Sequence, residues 1–121
     1  MNITVLKCKL HNAAVTGTNT HYEGSIVVDQ ELMDEVGLLP YEKVLVANNS
    51  TGDRFETYVI TGDPGSGKIE LNGATARLGQ VGDRIIIFAF ATIPEREAKT
   101  HNPKIVLLDE RNQVVRRSFA S

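Results

Sequence analysis

Short apolar runs rich in β-branched residues alternate along the chain with clusters of glycine, asparagine and aspartate. That is the pattern of strands divided by tight turns, not of long amphipathic helices. The runs predict strands at residues 4–10, 13–16, 25–28, 43–48, 54–60, 68–71, 84–92 and 104–108. Residues 48–53, 62–67 and 79–83 carry the plainest turn chemistry, because several of them tolerate positive φ. Helical spacing is brief. Its best stretch is Gln30–Val36, with Asp29 as the N-cap and Gly37 as the C-terminal stop. Residues 74–78 and 94–99 have room for one or two further turns, and the segment from Arg111 to Ser121 turns polar and basic and is expected to fray at its end. The turns divide strands and not domains, so residues 1–121 are expected to form one mainly β domain with short helices.

A chain of 121 residues buries roughly two-thirds of its unfolded surface around a single core. Thirteen Lys and Arg against fifteen Asp and Glu leave a formal charge of −2, so no global field favours a phosphate backbone and nucleic acid is not an expected partner. Cys8 is the only cysteine and has no intrachain mate, which fits a reducing cytosol. Lys7 and Lys9 interrupt the apolar residues near the N-terminus, and the run from Ile85 to Ala91 is far short of the ~20 residues a membrane helix requires. Neither a signal peptide nor a membrane segment is expected, and the expected location is cytoplasmic.

Three chemical motifs compete for attention. Gly62-Asp63-Pro64-Gly65-Ser66-Gly67-Lys68 matches most of a phosphate-binding loop, but Ile69 replaces the hydroxyl residue that holds magnesium, and a strand stands where a helix should open. A hairpin loop is the better reading. His11, His21 and His101 share no metal-ligand spacing, and no serine sits in a Gly-x-Ser-x-Gly elbow. The pair Gly24-Ser25 differs from Gly65-Ser66 in its downstream neighbours. Ile26-Val27-Val28 continues it into a buried strand, whereas Ser66 falls at an exposed tip. Glycine at position 24 has no Cβ to obstruct attack of the Ser25 hydroxyl on its carbonyl. The amide then becomes an ester, β-elimination leaves dehydroalanine, and hydrolysis releases ammonia and an N-terminal pyruvoyl group. Most Gly-Ser pairs are simply turns.

Several separate motifs together resemble the bacterial aspartate 1-decarboxylase family over residues 9–108: Lys9-Leu10-His11, Tyr22-x-Gly24-Ser25, Asn48-Asn49-x-x-Gly52-x-Arg54-x-x-Thr57-Tyr58, Asn72-Gly73-Ala74 and Gly82-Asp83. The resemblance implies a double-psi β-barrel, a homotetramer with active sites between neighbouring subunits, and cytosolic production of β-alanine for pantothenate and coenzyme A. It also implies cleavage between Gly24 and Ser25 into chains 1–24 and 25–121, with Ser25 becoming the covalent pyruvoyl cofactor that condenses with the amino group of L-aspartate as a Schiff base. Tyr58 is then the proton donor. Lys9 and Arg54 face the two substrate carboxylates, arginine by its planar fork. Thr57 supports the oxyanion at Gly24 during processing and later meets substrate. Asn72, Gly73, Ala74 and Thr75 form a turn that offers backbone amides to the ligand.

Each residue also has an ordinary reading: Tyr58 as a strand tyrosine filling space, Lys9 and Arg54 as solvated charges, Asn72-Gly73 as a turn alone. Ile3, Cys8 and Thr75 depart from the family pattern, which has arginine, glycine and alanine frequent there. Two rivals remain: a non-catalytic barrel acting as a binding or assembly module, which predicts an intact chain, and a pyruvoyl decarboxylase for a basic amino acid, which a cationic pocket disfavours. Processing rate and any need for a maturation factor are left open.

Overall fold

The computed structural model of the chain describes residues 1–118. The strands are β1 (Asn2–Ala14), β2 (Gly17–Asn19), β3 (Ser25–Asp29), β4 (Lys43–Asn48), β5 (Arg54–Gly62), β6 (Ile69–Asn72), β7 (Arg84–Pro94), β8 (Lys104–Leu108) and β9 (Val114–Arg117). Helix α1 (Gln30–Val36) comes after β3, a 3-10 turn (Gly73–Arg77) after β6, and α2 (Glu95–Ala98) after β7. Among the described residues the strands form one mixed sheet in the order β2-β6-β3-β5-β4-β7-β1-β8-β9. The fold is therefore mainly β with short helices, as the apolar pattern predicts.

Two predicted strands merge. The run at 4–10 and the first half of that at 13–16 belong to one thirteen-residue strand, which ends at Ala14 and leaves Val15 and Thr16 outside it, with register shifts between Leu6 and Cys8 and between Leu10 and Ala13. Asn12 takes up the second irregularity at φ 69°, a conformation asparagine tolerates better than most residues. The Arg84 guanidinium clips this bend by donating to the Asn12 carbonyl from Nε at 2.9 Å and from Nη2 at 2.7 Å. Strands β2 and β9 have no counterpart in the apolar pattern. Three residues for β2 are too few to show a period, and β9 lies in the basic tail, where its partner β8 and not its composition orders it. Residues 119–121 lie outside the described residues.

The core is built from alternate positions of the strands. Leu10, Ile26, Val46, Ile69, Ile85 and Ile87 are all buried, with Met33 and Val36 of α1 packed against them. Helix α1 begins and ends where its caps dictate. The Asp29 carboxylate accepts the Glu31 amide at 2.8 Å, and Gly37 stops the helix at φ 78°.

That same carboxylate settles the loop between β5 and β6. It accepts the Gly65 amide at 3.0 Å and the Gly67 amide at 2.8 Å, so the amides that a phosphate loop would turn towards a nucleotide are held by an internal anion. The loop continues into β6, not into a helix.

The two ends of the sheet meet at Asn112. Its side chain is buried, accepts the Ala14 amide at 2.7 Å, and donates to the Ala14 carbonyl at 2.9 Å and the Gly67 carbonyl at 2.8 Å. The β8–β9 turn is thereby fastened to the end of β1 and to the loop before β6. Among the described residues no helix is long and apolar enough to cross a membrane.

Candidate active site

Strand pairing assembles the environment of Ser25. It is the first residue of β3, fully buried, and opposite Asn72 in the antiparallel β3–β6 ladder. The preceding residues 21–24 are exposed, so the chain passes from solvent to core across the Gly24–Ser25 bond. The Ser25 hydroxyl donates to the Glu23 carbonyl at a long 3.4 Å, a weak hold that leaves it nearly free to turn. A cavity of about 560 Å³ opens beside it, lined by His21, Tyr22, Glu23, Lys68, Glu70 and Asn72 among others.

The turn after β6 presses on this bond. Gly73 adopts φ 65°, and a Cβ placed on it would lie 2.6 Å from the Cα and the amide nitrogen of Gly24 and 2.9 Å from the Tyr22 carbonyl oxygen. Only glycine permits so close a backbone approach. Two residues on, the buried Thr75 hydroxyl lies 2.7 Å from the Asn72 carbonyl and 3.2 Å from the Ser25 carbonyl, and donates to these oxygens. Ala74 between them is exposed. The Asn72 side-chain oxygen is buried without a hydrogen-bond partner, an expensive condition unless a ligand supplies a donor.

Tyr58 stands beside this group. The parallel β3–β5 pairing opposes Ile26 to Val59, which sets Tyr58 one position further back, next to the row of Ser25. Its half-buried ring packs on Tyr41 with centroids 6.2 Å apart. Thr57 is half-buried opposite Val44.

The two expected carboxylate-binding cations are elsewhere in a single chain. Arg54 opens β5 opposite Ala47, exposed, and four strand residues separate it from Tyr58 by roughly 13 Å. Lys9 is in the middle of β1, three strand spacings from β5, with its ammonium 5.9 Å from the centre of the Phe88 ring. It lines a second cavity, of about 190 Å³, with His11, Ile105, Leu107, Arg116 and Ser118. In that cavity the Nδ1 atom of His11 is buried without a partner. Burial first, then Lys9 and Arg116, holds the His11 imidazole below its ordinary pKa. Cys8, one residue before Lys9, points into the core, where burial pushes its thiol up to about 11 and leaves it unreactive.

One chain thus gathers Gly24, Ser25, Asn72, Gly73 and Thr75, with Tyr58 adjoining, and leaves Lys9 and Arg54 on other strands. Lys68 and Glu70 join the cavity although the sequence marks them only as the end of a loop and part of a strand. The signal is the period-two alternation of β6 and the residue before it, which turns Ile69 and Leu71 to the core and Lys68, Glu70 and Asn72 to the cavity. His11, which lines the cavity with Lys9, has no signal in its spacing.

Fold and cavity together describe a class: a small mainly β protein with a buried serine hydroxyl at the start of an internal strand, bonded to an exposed glycine. A family model described as aspartate decarboxylase matches residues 1–115. The chain is 55% identical over 118 residues to the aspartate 1-decarboxylase of Caldicellulosiruptor saccharolyticus, covering 98% of this chain and 92% of that one. It is 49% identical to the aspartate 1-decarboxylase of Maricaulis maris over the whole of both chains, and 51% identical to that of Bacillus licheniformis over 92% of this chain and 87% of the relative. The chain belongs to the aspartate decarboxylase family.

Proposed function

We propose that this protein decarboxylates L-aspartate to β-alanine and carbon dioxide, supplying pantothenate and coenzyme A synthesis in the cytoplasm, through a pyruvoyl group made from its own Ser25. The observation that carries the reading is the setting of the Gly24–Ser25 bond, in a chain of this family: a buried hydroxyl opening a core strand, an exposed glycine before it, and Gly73 against that glycine.

Processing needs only the chain and water. The Ser25 hydroxyl attacks the Gly24 carbonyl carbon and the peptide bond becomes an ester. Water takes the Ser25 α-proton, and the Cβ–O bond breaks with its electron pair on the new Gly24 carboxylate. Water then replaces the nitrogen of dehydroalanine, releasing one ammonia. The products are chain 1–24 and chain 25–121. In this scheme Thr57 supports the oxyanion that develops at Gly24.

The residues around Ser25 fit a pyruvoyl group. The position is enclosed, the Thr75 hydroxyl reaches its carbonyl, and the buried Asn72 oxygen awaits a donor such as a substrate ammonium. When formed, the group supplies an electrophilic ketone and a sink for the electron pair freed by loss of carbon dioxide. The protein's own groups do the rest. Tyr58 returns a proton to the substrate carbon, and Asn72, Gly73, Ala74 and Thr75 hold the ligand against the turn. Lys9 and Arg54 neutralise the two carboxylates.

The last role calls for more than one chain, because neither cation stands at Ser25 within its own subunit. A homotetramer with sites between neighbouring subunits resolves this, since a second copy brings its own β1 and β5 to the cavity. The sheet order, with three parallel pairings among the antiparallel ones and its ends fastened together at Asn112, supports a double-psi β-barrel.

Intact mass analysis of the purified protein, with an assay of carbon dioxide from L-aspartate, tests the proposal. Fragments of 24 and 97 residues are expected, the larger lighter by one ammonia than a serine-ended chain. An uncut chain that nonetheless forms β-alanine rules the mechanism out, and equal turnover of a basic amino acid removes the roles of Lys9 and Arg54. Whether a maturation factor speeds the cut is read from the same masses over time.

A further inference from the structure

We infer that Thr75 is a catalytic residue in both lives of this protein: its hydroxyl donates to the backbone carbonyl of Ser25 when negative charge builds on that oxygen. The inference rests on the pyruvoyl reading above and adds a group to it.

The geometry is that of one proton between two acceptors. Threonine has a single hydroxyl hydrogen. The Asn72 carbonyl lies 2.7 Å from Oγ1 and the Ser25 carbonyl 3.2 Å, so in the resting chain the shorter contact takes the larger share of it. The hydroxyl is buried and its position is held. A β-branched side chain has few rotamers, and the Thr75 carbonyl accepts the Leu78 amide at 3.0 Å, which closes the turn. Rotation about Cβ–Oγ1 alone swings the hydrogen from one carbonyl to the other.

Charge reaches the Ser25 carbonyl twice. During processing, departure of the Ser25 α-proton leaves an electron pair conjugated with that carbonyl, before the pair expels the Gly24 carboxylate from Cβ. During turnover, the pair freed when the substrate's Cα–carboxylate bond breaks is conjugated to the same oxygen until carbon is reprotonated. A hydrogen bond to a charged oxygen is about twice as strong as one to a neutral carbonyl. The contact therefore strengthens from ground state to transition state, the condition for raising a rate and not merely an affinity. The bonds that form and break belong to Ser25 and not to the hydroxyl that assists them, so removal of the contact slows the chemistry without abolishing it.

Thr75→Val keeps the shape and removes the donor. Its uncut chain is expected to accumulate as the ester, cut by hydroxylamine between residues 24 and 25, with maturation about tenfold slower by mass. The matured fraction is expected to show kcat lowered by about the same factor with KM within about twofold, and Thr75→Ser is expected to restore both. Should valine prevent folding, Thr75→Ala removes the hydroxyl without added bulk and is read the same way. Parent-like maturation and kcat in the variant overturn the inference. So does a slow chain that resists hydroxylamine, which places the fault before the ester and makes the residue structural. A parent chain that never yields the 97-residue fragment fails the pyruvoyl reading itself, before any variant is made, and takes this inference with it.

Discussion

Replacing Gly73 by alanine puts a methyl group where the chain has no room. Its carbon would lie 2.6 Å from two backbone atoms of Gly24, against 3.4 Å for ordinary contact, so the scissile segment must retreat by about 0.8 Å or the turn must open. Alanine at φ 65° also costs about 1–2 kcal/mol in backbone strain, a fall in Tm of roughly 4–8 °C for a chain of this size. The displacement matters more than the strain, because a misplacement on the order of 1 Å in a reacting pair lowers rates about a hundredfold. Gly82 provides the control. Its φ is 95° but nothing lies within 4 Å of a Cβ there, so Gly82→Ala bears strain without collision. Both variants are expected to melt several degrees below the parent by circular dichroism. In time-resolved mass analysis Gly82→Ala should mature at the parent rate, whereas Gly73→Ala should mature about a hundred times more slowly. A folded Gly73→Ala protein that cuts as fast as the parent refutes the claim that Gly73 seats the scissile bond.

Other expectations rest on single contacts. Ser25→Ala should give a folded, uncut and inactive protein with a Tm close to the parent's, because the hydroxyl it loses makes only one long contact; mass and carbon dioxide release check it. Tyr58→Phe should cut normally and turn over slowly, and normal turnover would free Tyr58 of its proton-donor role. Asp29→Ala strips three amides, of Glu31, Gly65 and Gly67, of their acceptor and should cost about 2–5 kcal/mol in urea unfolding; a loss under about 1 kcal/mol contradicts the account of that loop. Arg117 pairs with Glu35 through Nε at 2.7 Å and a second guanidinium bond, and holds the carboxyl below its ordinary value of about 4.5. The pair therefore stabilises the fold above that value and loses its contribution as pH falls through it towards the lower folded one. Arg117→Gln should flatten the stability profile in that acid window and leave its slope at neutral pH unchanged.

The sequence by itself carried everything that depends on neighbours along the chain. Asp29, Gln30–Val36 and Gly37 bound a helix whose caps are local hydrogen bonds, and the structure ends it where they predict. Strands β4 and β8 match their apolar runs because alternation reports burial directly. The family was legible because several short motifs agree, and the chemistry proposed for Ser25 follows from it. Three things were decided only by tertiary structure. The run at 4–10 and Ala13–Ala14 join in one strand across a bend at Asn12 that is clipped by Arg84, seventy-two residues away. β9 is a strand because β8 offers it an unpaired edge. Gly73, Thr75 and Asn72 converge on the Gly24–Ser25 bond because β3 and β6 run antiparallel, and that register is a fact about pairing that spacing alone does not contain. The separation of Lys9 and Arg54 from Ser25 has the same origin: short motifs record which groups a site uses, and strand order determines which of them a single chain can bring together.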